Sequence, residues 1–115
     1  MYRQTVIFDF DGVIHSYTSG WKGADVILDA PVVGIKKAIE EIRKEFKVIV
    51  VSTRCYQDRG INAIKEWLRK WQIEVDDVTS EKPPAIVTID DRAICFDGNS
   101  RELLDKIKYF NVWNK

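Results

Sequence analysis

The sequence predicts an α/β fold: one domain in which a mainly parallel sheet is covered on both faces by helices. Three observations carry this expectation. Short apolar, β-branched runs beginning at Thr5, Lys47 and Ala85 read as buried strands. Stretches with apolar residues at helical spacing, 34–44 and 58–72, interleave with those runs as crossover helices do. At 115 residues the chain is long enough for one core and too short for a second.

The elements follow in order. The first strand, Thr5-Val-Ile-Phe, runs into Asp9-Phe-Asp11-Gly12. Strand side chains alternate faces, so Asp9 and Asp11 share one side only while the chain stays extended, and Gly12 then permits a sharp turn. Residues 15–30 are the only long irregular stretch and read as a flexible, flap-like insertion. Pro31 leads into the helix at 34–44, with Ile35, Ala38, Ile39 and Ile42 on one face. The second strand, Lys47-Val-Ile-Val-Val51, ends on Ser52-Thr53-Arg54. The helix at 58–72 carries the stripe Ile61, Ile64, Trp67, Leu68 and Trp71, whose tryptophan pair reads as core packing. Lys82 precedes the third strand, which ends on Asp90-Asp91. A short edge strand is expected at 93–96, closed by an Asp97-Gly98 turn. A last helix follows at 99–108, with Leu103, Leu104 and Ile107. No internal repeat or low-complexity tract is present.

Composition narrows the function classes. Apolar residues make up 45% and charged residues 31%, ordinary values for a globular protein. The 18 basic and 18 acidic residues cancel, so no bulk attraction to nucleic acid or to anionic membranes is expected. No stretch has the pattern of a signal peptide or the length of a membrane span, and a cytoplasmic location is the expectation. Cys55 and Cys95 lack metal-type spacing and read as reduced thiols, with Cys55 a small buried hydrophobe.

The chemistry lies at the strand ends. Two carboxylates at the mouth of one strand repel each other unless a proton or a cation intervenes. Mg²⁺ suits them, as a hard ion that retains waters for a substrate phosphate to replace. If the strands are parallel, Asp9, Asp11, Ser52 and the Asp90-Asp91 pair share one sheet edge, where open α/β sheets bind ligands. Lys82 adds a positive charge near that edge.

With these residues in place the chain resembles the haloacid dehalogenase superfamily of phosphatases and phosphotransferases over nearly its whole length. Asp9 and Asp11 match the first motif, and Ser52 the second, with Thr53 the alternative register. Lys82 matches the third, and Asp90 and Asp91 the fourth. Val13 stands where many members carry Thr. The resemblance implies a Rossmann-like three-layer α/β/α sandwich without a cap domain. It also implies Mg²⁺-dependent phosphomonoester hydrolysis through an aspartyl-phosphate. Asp9 is then the nucleophile, and Asp11 protonates the leaving group and later assists water. Ser52 and Lys82 hold the phosphoryl group. The metal set is Asp9, the main-chain carbonyl of Asp11, and Asp90 or Asp91, a choice the sequence leaves open. A catalytically silent scaffold of the same fold is the alternative. A receiver-type phospho-acceptor domain fits less well, because its acids and lysine come in a different order.

Neither gap between motifs can hold a cap domain, so the site is expected to be open. Its partner is then a phosphorylated small molecule or macromolecule, a nucleic acid among them, and a second copy of the chain is a candidate cover. His15, Trp21 and Lys22 stand nearest an incoming substrate, and Trp21 between two glycines suits stacking or a lid. The Arg54 fork is expected to take a second anionic group of the substrate. Arg92 reads first as a surface charge.

Overall fold

The structure, a computed structural model, describes residues 2–114. Strands β1 (Thr5–Phe8), β2 (Lys47–Val51), β3 (Asp77–Thr79) and β4 (Val87–Ile89) form one sheet in the order β3-β2-β1-β4. Every pairing is parallel. Helix α1 (Ile35–Arg43) crosses from β1 to β2, α2 (Gly60–Lys70) from β2 to β3, and α3 (Leu103–Lys108) follows β4. This is the Rossmann-like α/β arrangement the sequence predicts.

The registers explain where the core sits. Val6 pairs with Val48, Phe8 with Val50, and Val50 with Val78, so these side chains project from one face. Ile39 of α1 and Ile64, Trp67 and Leu68 of α2 pack on that face and complete the core. Ile7 and Ile49 point the other way and are buried as well. Burial on both faces accounts for the unbroken apolar runs of β1 and β2.

The topology also sets the position of the site. From β1 the chain moves outward through β2 and β3, then returns to place β4 on the other side of β1. A crevice opens at the carboxyl ends where the order reverses. The Asp9 amide donates to the Ile89 carbonyl at 2.9 Å, locking β1 to β4 directly beneath the acidic residues.

Three local expectations change. Strand β3 was not foreseen, because Asp77-Val78-Thr79 contains one apolar residue and no period; its pairing with β2 creates it. Residues 93–96 are not a strand: β4 ends the sheet, and Ala93-Ile-Cys-Phe96 finds no ladder. Helix α3 forms but buries none of its residues, with Leu104 and Ile107 both 62% exposed. Among the described residues, no helix is long and apolar enough to cross a membrane.

Candidate metal and phosphate site

Asp9 leaves the end of β1, and Asp90 and Asp91 leave the end of β4. One carboxylate oxygen from each lies within 4.8 Å of the others. Gly12 makes this approach possible. Its φ of 83° suits glycine, and a β-carbon there would strike the Asp91 carboxylate. The Gly12 amide donates to the His15 carbonyl at 2.8 Å, which closes the turn after Asp11.

The cluster is electrostatically unsatisfied. Burial, then the charge of Asp90, pushes the Asp9 carboxyl up to about 7. The Phe10 amide opposes that rise, while the charge of Asp91 and a hydrogen bond with its carboxyl add to it. Asp91 Oδ1 is buried and has no hydrogen-bond partner among the described residues. Asp90 Oδ1 accepts from the Arg92 amide at 2.9 Å. An all-oxygen donor set, an orphaned carboxylate oxygen and a carboxyl forced to keep its proton together fit a hard divalent cation.

Asp11 stands apart from this cluster. Its Oδ2 accepts from Arg54 Nε at 2.8 Å and its Oδ1 from His15 Nδ1 at 2.9 Å. The Asp29 amide donates to His15 Nε2 at 3.1 Å, which makes Nε2 an acceptor and places the imidazole proton on Nδ1. The side chain of Asp11 is therefore no member of the acidic cluster of Asp9, Asp90 and Asp91.

Arg54 corrects an expectation. Its guanidinium is wholly buried, so its fork meets no substrate anion. Besides Asp11, it holds the carbonyls of Gly23, Ala24 and Val26 through Nη1 at 2.8, 3.0 and 3.3 Å. It reaches this position from a 3₁₀ turn, Thr53–Tyr56, whose first amide bond runs from Arg54 N to Ser52 Oγ at 3.2 Å. Gly60, opening α2, packs on the Arg54 carbonyl so closely that a β-carbon would collide with it. His15 is likewise buried, between Asp11 and Asp29, and does not face incoming substrate.

Residues 15–30 fold into a tied loop. Asp29 accepts from the Ser19 hydroxyl at 2.6 Å and the Ser19 amide at 2.8 Å. Those two bonds hold its carboxyl below the usual range. Trp67 of α2 donates to the Asp29 carbonyl at 3.0 Å. Trp21 remains 46% exposed, and the Arg54 guanidinium lies 4.8 Å from its ring centroid.

Two cavities meet at Asp9. One, of about 270 Å³, is lined by Asp9, Ser52, Thr53, Ser80, Lys82 and Asp90. The other, of about 410 Å³, adds Asp11, Tyr17, Trp21, Asp91 and Arg92 to the shared residues Asp9, Thr53 and Asp90. Ser52 and Lys82 thus line the smaller cavity and Trp21 the larger, while Lys22 lines neither. Tyr17 was missed, since nothing in its sequence neighbourhood marks it. Its backbone, at φ 61°, is the structural signal. Burial pushes the Cys55 thiol up, in keeping with a packed, unreactive cysteine.

No family model and no curated protein matches the chain. Among solved structures it is similar to a chain of a Pnkp1/Rnl/Hen1 complex, with a TM-score of 0.58 and 16% identity over 99% of this chain and 37% of that one. It is also similar to a chain of a Pnkp1/Rnl/Hen1 RNA repair complex, with a TM-score of 0.54 and 18% identity over 91% of this chain and 30% of that one. The present chain spans about a third of the length of those chains, and the likeness is one of fold.

Proposed function

We propose that the chain is a Mg²⁺-dependent phosphomonoester hydrolase of the haloacid dehalogenase type, acting through an aspartyl-phosphate on Asp9. The observation that carries this reading is the convergence of Asp9, Asp90 and Asp91 at the crevice between β1 and β4, with Asp91 Oδ1 left unpartnered. The carboxylates of those three residues and the main-chain carbonyl of Asp11 would hold the ion. When bound, the ion offsets the repulsion between Asp9 and the phosphoryl oxygens and steadies their charge.

The protein's own groups do the rest. A carboxylate oxygen of Asp9 attacks phosphorus as the bond to the leaving oxygen breaks. That oxygen takes a proton that Asp11 has first picked up from solvent, a step that requires Arg54 Nε or His15 Nδ1 to release one of its oxygens. Water then attacks the same phosphorus, giving its proton to Asp11 and returning Asp9 as a carboxylate. His15, whose Nδ1–H donates to Asp11, orients that carboxyl. The Ser52 hydroxyl, already accepting from Arg54 N, keeps its own proton to donate to a phosphoryl oxygen. Lys82 supplies a positive charge to the same cavity. The substrate is a phosphorylated small molecule or the phosphorylated end of a macromolecule. A nucleic-acid end stays among these candidates, and a chain of similar fold belongs to an RNA repair complex.

The test is hydrolysis of an aryl phosphate by purified protein, with EDTA and Asp9→Asn controls. Turnover should require Mg²⁺ and fall by roughly 10⁴-fold or more in Asp9→Asn. Turnover that survives Asp9→Asn excludes the covalent route. Mg²⁺ binding without turnover of any phosphomonoester favours a silent scaffold.

A further inference from the structure

We infer that the 410 Å³ cleft is the leaving-group subsite and that Tyr17, Trp21 and Arg92 shape it for a nucleoside phosphate, with the base on Trp21 and a second phosphate at Arg92. This rests on the hydrolase reading above. The two cavities share Asp9, but Asp11 lines only the larger one. The leaving oxygen must lie beside the group that protonates it, so the leaving group occupies the cleft on the Asp11 side. Ser52 and Lys82 line the other cavity and keep the phosphoryl side.

The cleft is built to receive a ring. Trp21 is nearly half exposed, yet it is fixed from within by the buried Arg54 guanidinium 4.8 Å from its ring centroid. Arg54 is itself pinned to Asp11 and to three loop carbonyls, so the indole rests on a rigid support. A large aromatic held at the mouth of a charged cleft offers a face on which the π-system of a nucleobase stacks more strongly than a sugar ring does. Tyr17 lines the same cleft from a left-handed backbone conformation, φ 61°, that a tyrosine rarely adopts. Its ring lies edge-on to His15, with centroids 5.9 Å apart. Strain of this kind persists where the surrounding structure holds it, and it gathers at ligand sites.

Arg92 supplies the second recognition element. Its amide is tied to Asp90, which fixes the backbone. Its side chain is exposed on the cleft wall and makes no salt bridge among the described residues, although two aspartates precede it. An unpaired guanidinium there suits a further phosphate on the leaving group. The volume lies within the range of sites that enclose small ligands of nucleotide size.

The experiment compares kcat/KM for adenosine 5′-monophosphate, ribose 5-phosphate and adenosine 3′,5′-bisphosphate. The adenosine monophosphate should exceed the ribose phosphate by about tenfold or more. Trp21→Ala should collapse that ratio and Trp21→Phe should keep most of it. Arg92→Gln should remove any advantage of the bisphosphate over the monophosphate. Equal use of adenosine and ribose substrates, or a ratio untouched by Trp21→Ala, overturns the assignment. A second arm needs no turnover: calorimetric binding of adenosine 3′,5′-bisphosphate to Asp9→Asn protein with and without Trp21→Ala. Loss of binding with Trp21→Ala supports the subsite even if no phosphate is hydrolysed. Absence of binding in the Asp9→Asn parent, or binding indifferent to Trp21, overturns it.

Discussion

Burial and the charges of Asp90 and Asp91 leave Asp9 protonated up to about pH 7 in the metal-free protein, whereas the same carboxyl in an unfolded chain ionises near 3.8. Between those values the folded state holds a proton that the unfolded state has released. Stability therefore falls as pH rises through this window, by at most about 1.4 kcal/mol per pH unit. A bound cation reverses the balance, because it must displace that proton below pH 7 and meets a free carboxylate above it. Melting curves in EDTA should show Tm declining from pH 5 to pH 8 more steeply in the native protein than in Asp9→Asn. The Tm gained on adding Mg²⁺ should be larger at pH 8 than at pH 5.5. Equal Mg²⁺ gains at both values would sink the assignment of the proton to the acidic cluster. The acids themselves were legible in the sequence, because each ends an apolar run. The setting of Arg54 was not, since its partner Asp11 is 43 residues away and its other partners are carbonyls, which have no sequence signature.

At the level of elements, the edge of the sheet opposite the site is held by one carboxylate. Asp76, just before β3, accepts from Arg43 Nε at 3.3 Å, from Arg43 Nη2 at 3.1 Å and from the Val48 amide at 2.8 Å. It thereby joins the end of α1 to the starts of β2 and β3, and Arg3 adds its charge at 3.6 Å. Burial alone would raise the Asp76 carboxyl, but the Arg43 and Val48 hydrogen bonds and the two arginine charges outweigh it and hold it below the usual range. A lowered folded value means that this stability is present above the unfolded pKa and is lost as pH falls below about 4. Asp76→Asn should cost about 1–3 kcal/mol at pH 7 and shrink that loss in the acid limb of a denaturation series. An unchanged midpoint at pH 7 would show that the contacts contribute nothing net. The same region shows why β3 escaped the sequence reading. A three-residue strand with one apolar side chain is made by its neighbours, β2 beside it and Asp76 before it, and not by its own pattern. Strands β1 and β2 were legible as β-branched runs, and α1 and α2 as apolar stripes, because each packs on the core. Strand β4 was legible from its β-branched run alone, although Val87 and Ile89 stay exposed. Residues 93–96 have strand-forming composition, yet β4 remains the last strand, so propensity finds no partner.

Over the whole molecule, packing is uneven, and the unevenness reaches the site. The core lies between the sheet and the pair α1 and α2, while β4 and α3 expose Val87, Ile89, Leu104 and Ile107. The radius of gyration, 14.9 Å, exceeds the value of about 13 Å expected for a tightly packed chain of this length. The segment after β4 therefore depends on few contacts. Two of them return to the loop after β1: Trp113 Nε1 donates to the Gly12 carbonyl at 2.8 Å and Asn114 Nδ2 to the Ser16 carbonyl at 2.9 Å. Gly12 is the residue whose turn admits Asp91, so the C-terminal arm braces the acidic cluster from outside the core. Local opening should follow this division. In native-state hydrogen exchange, amides of β1 and β2 should exchange only through global unfolding. Those of α3 should exchange on the order of 100-fold faster or more, through a local opening. Trp113→Phe keeps a ring and removes the donor, so it should speed exchange at the His15 and Gly12 amides while leaving β2 unchanged. If α3 and β2 amides exchange at one common rate, the molecule opens as a unit and the arm is no separate brace. If they separate and Trp113→Phe reaches the Gly12 turn, the order of the acidic site depends on a segment that the hydrophobic core does not hold.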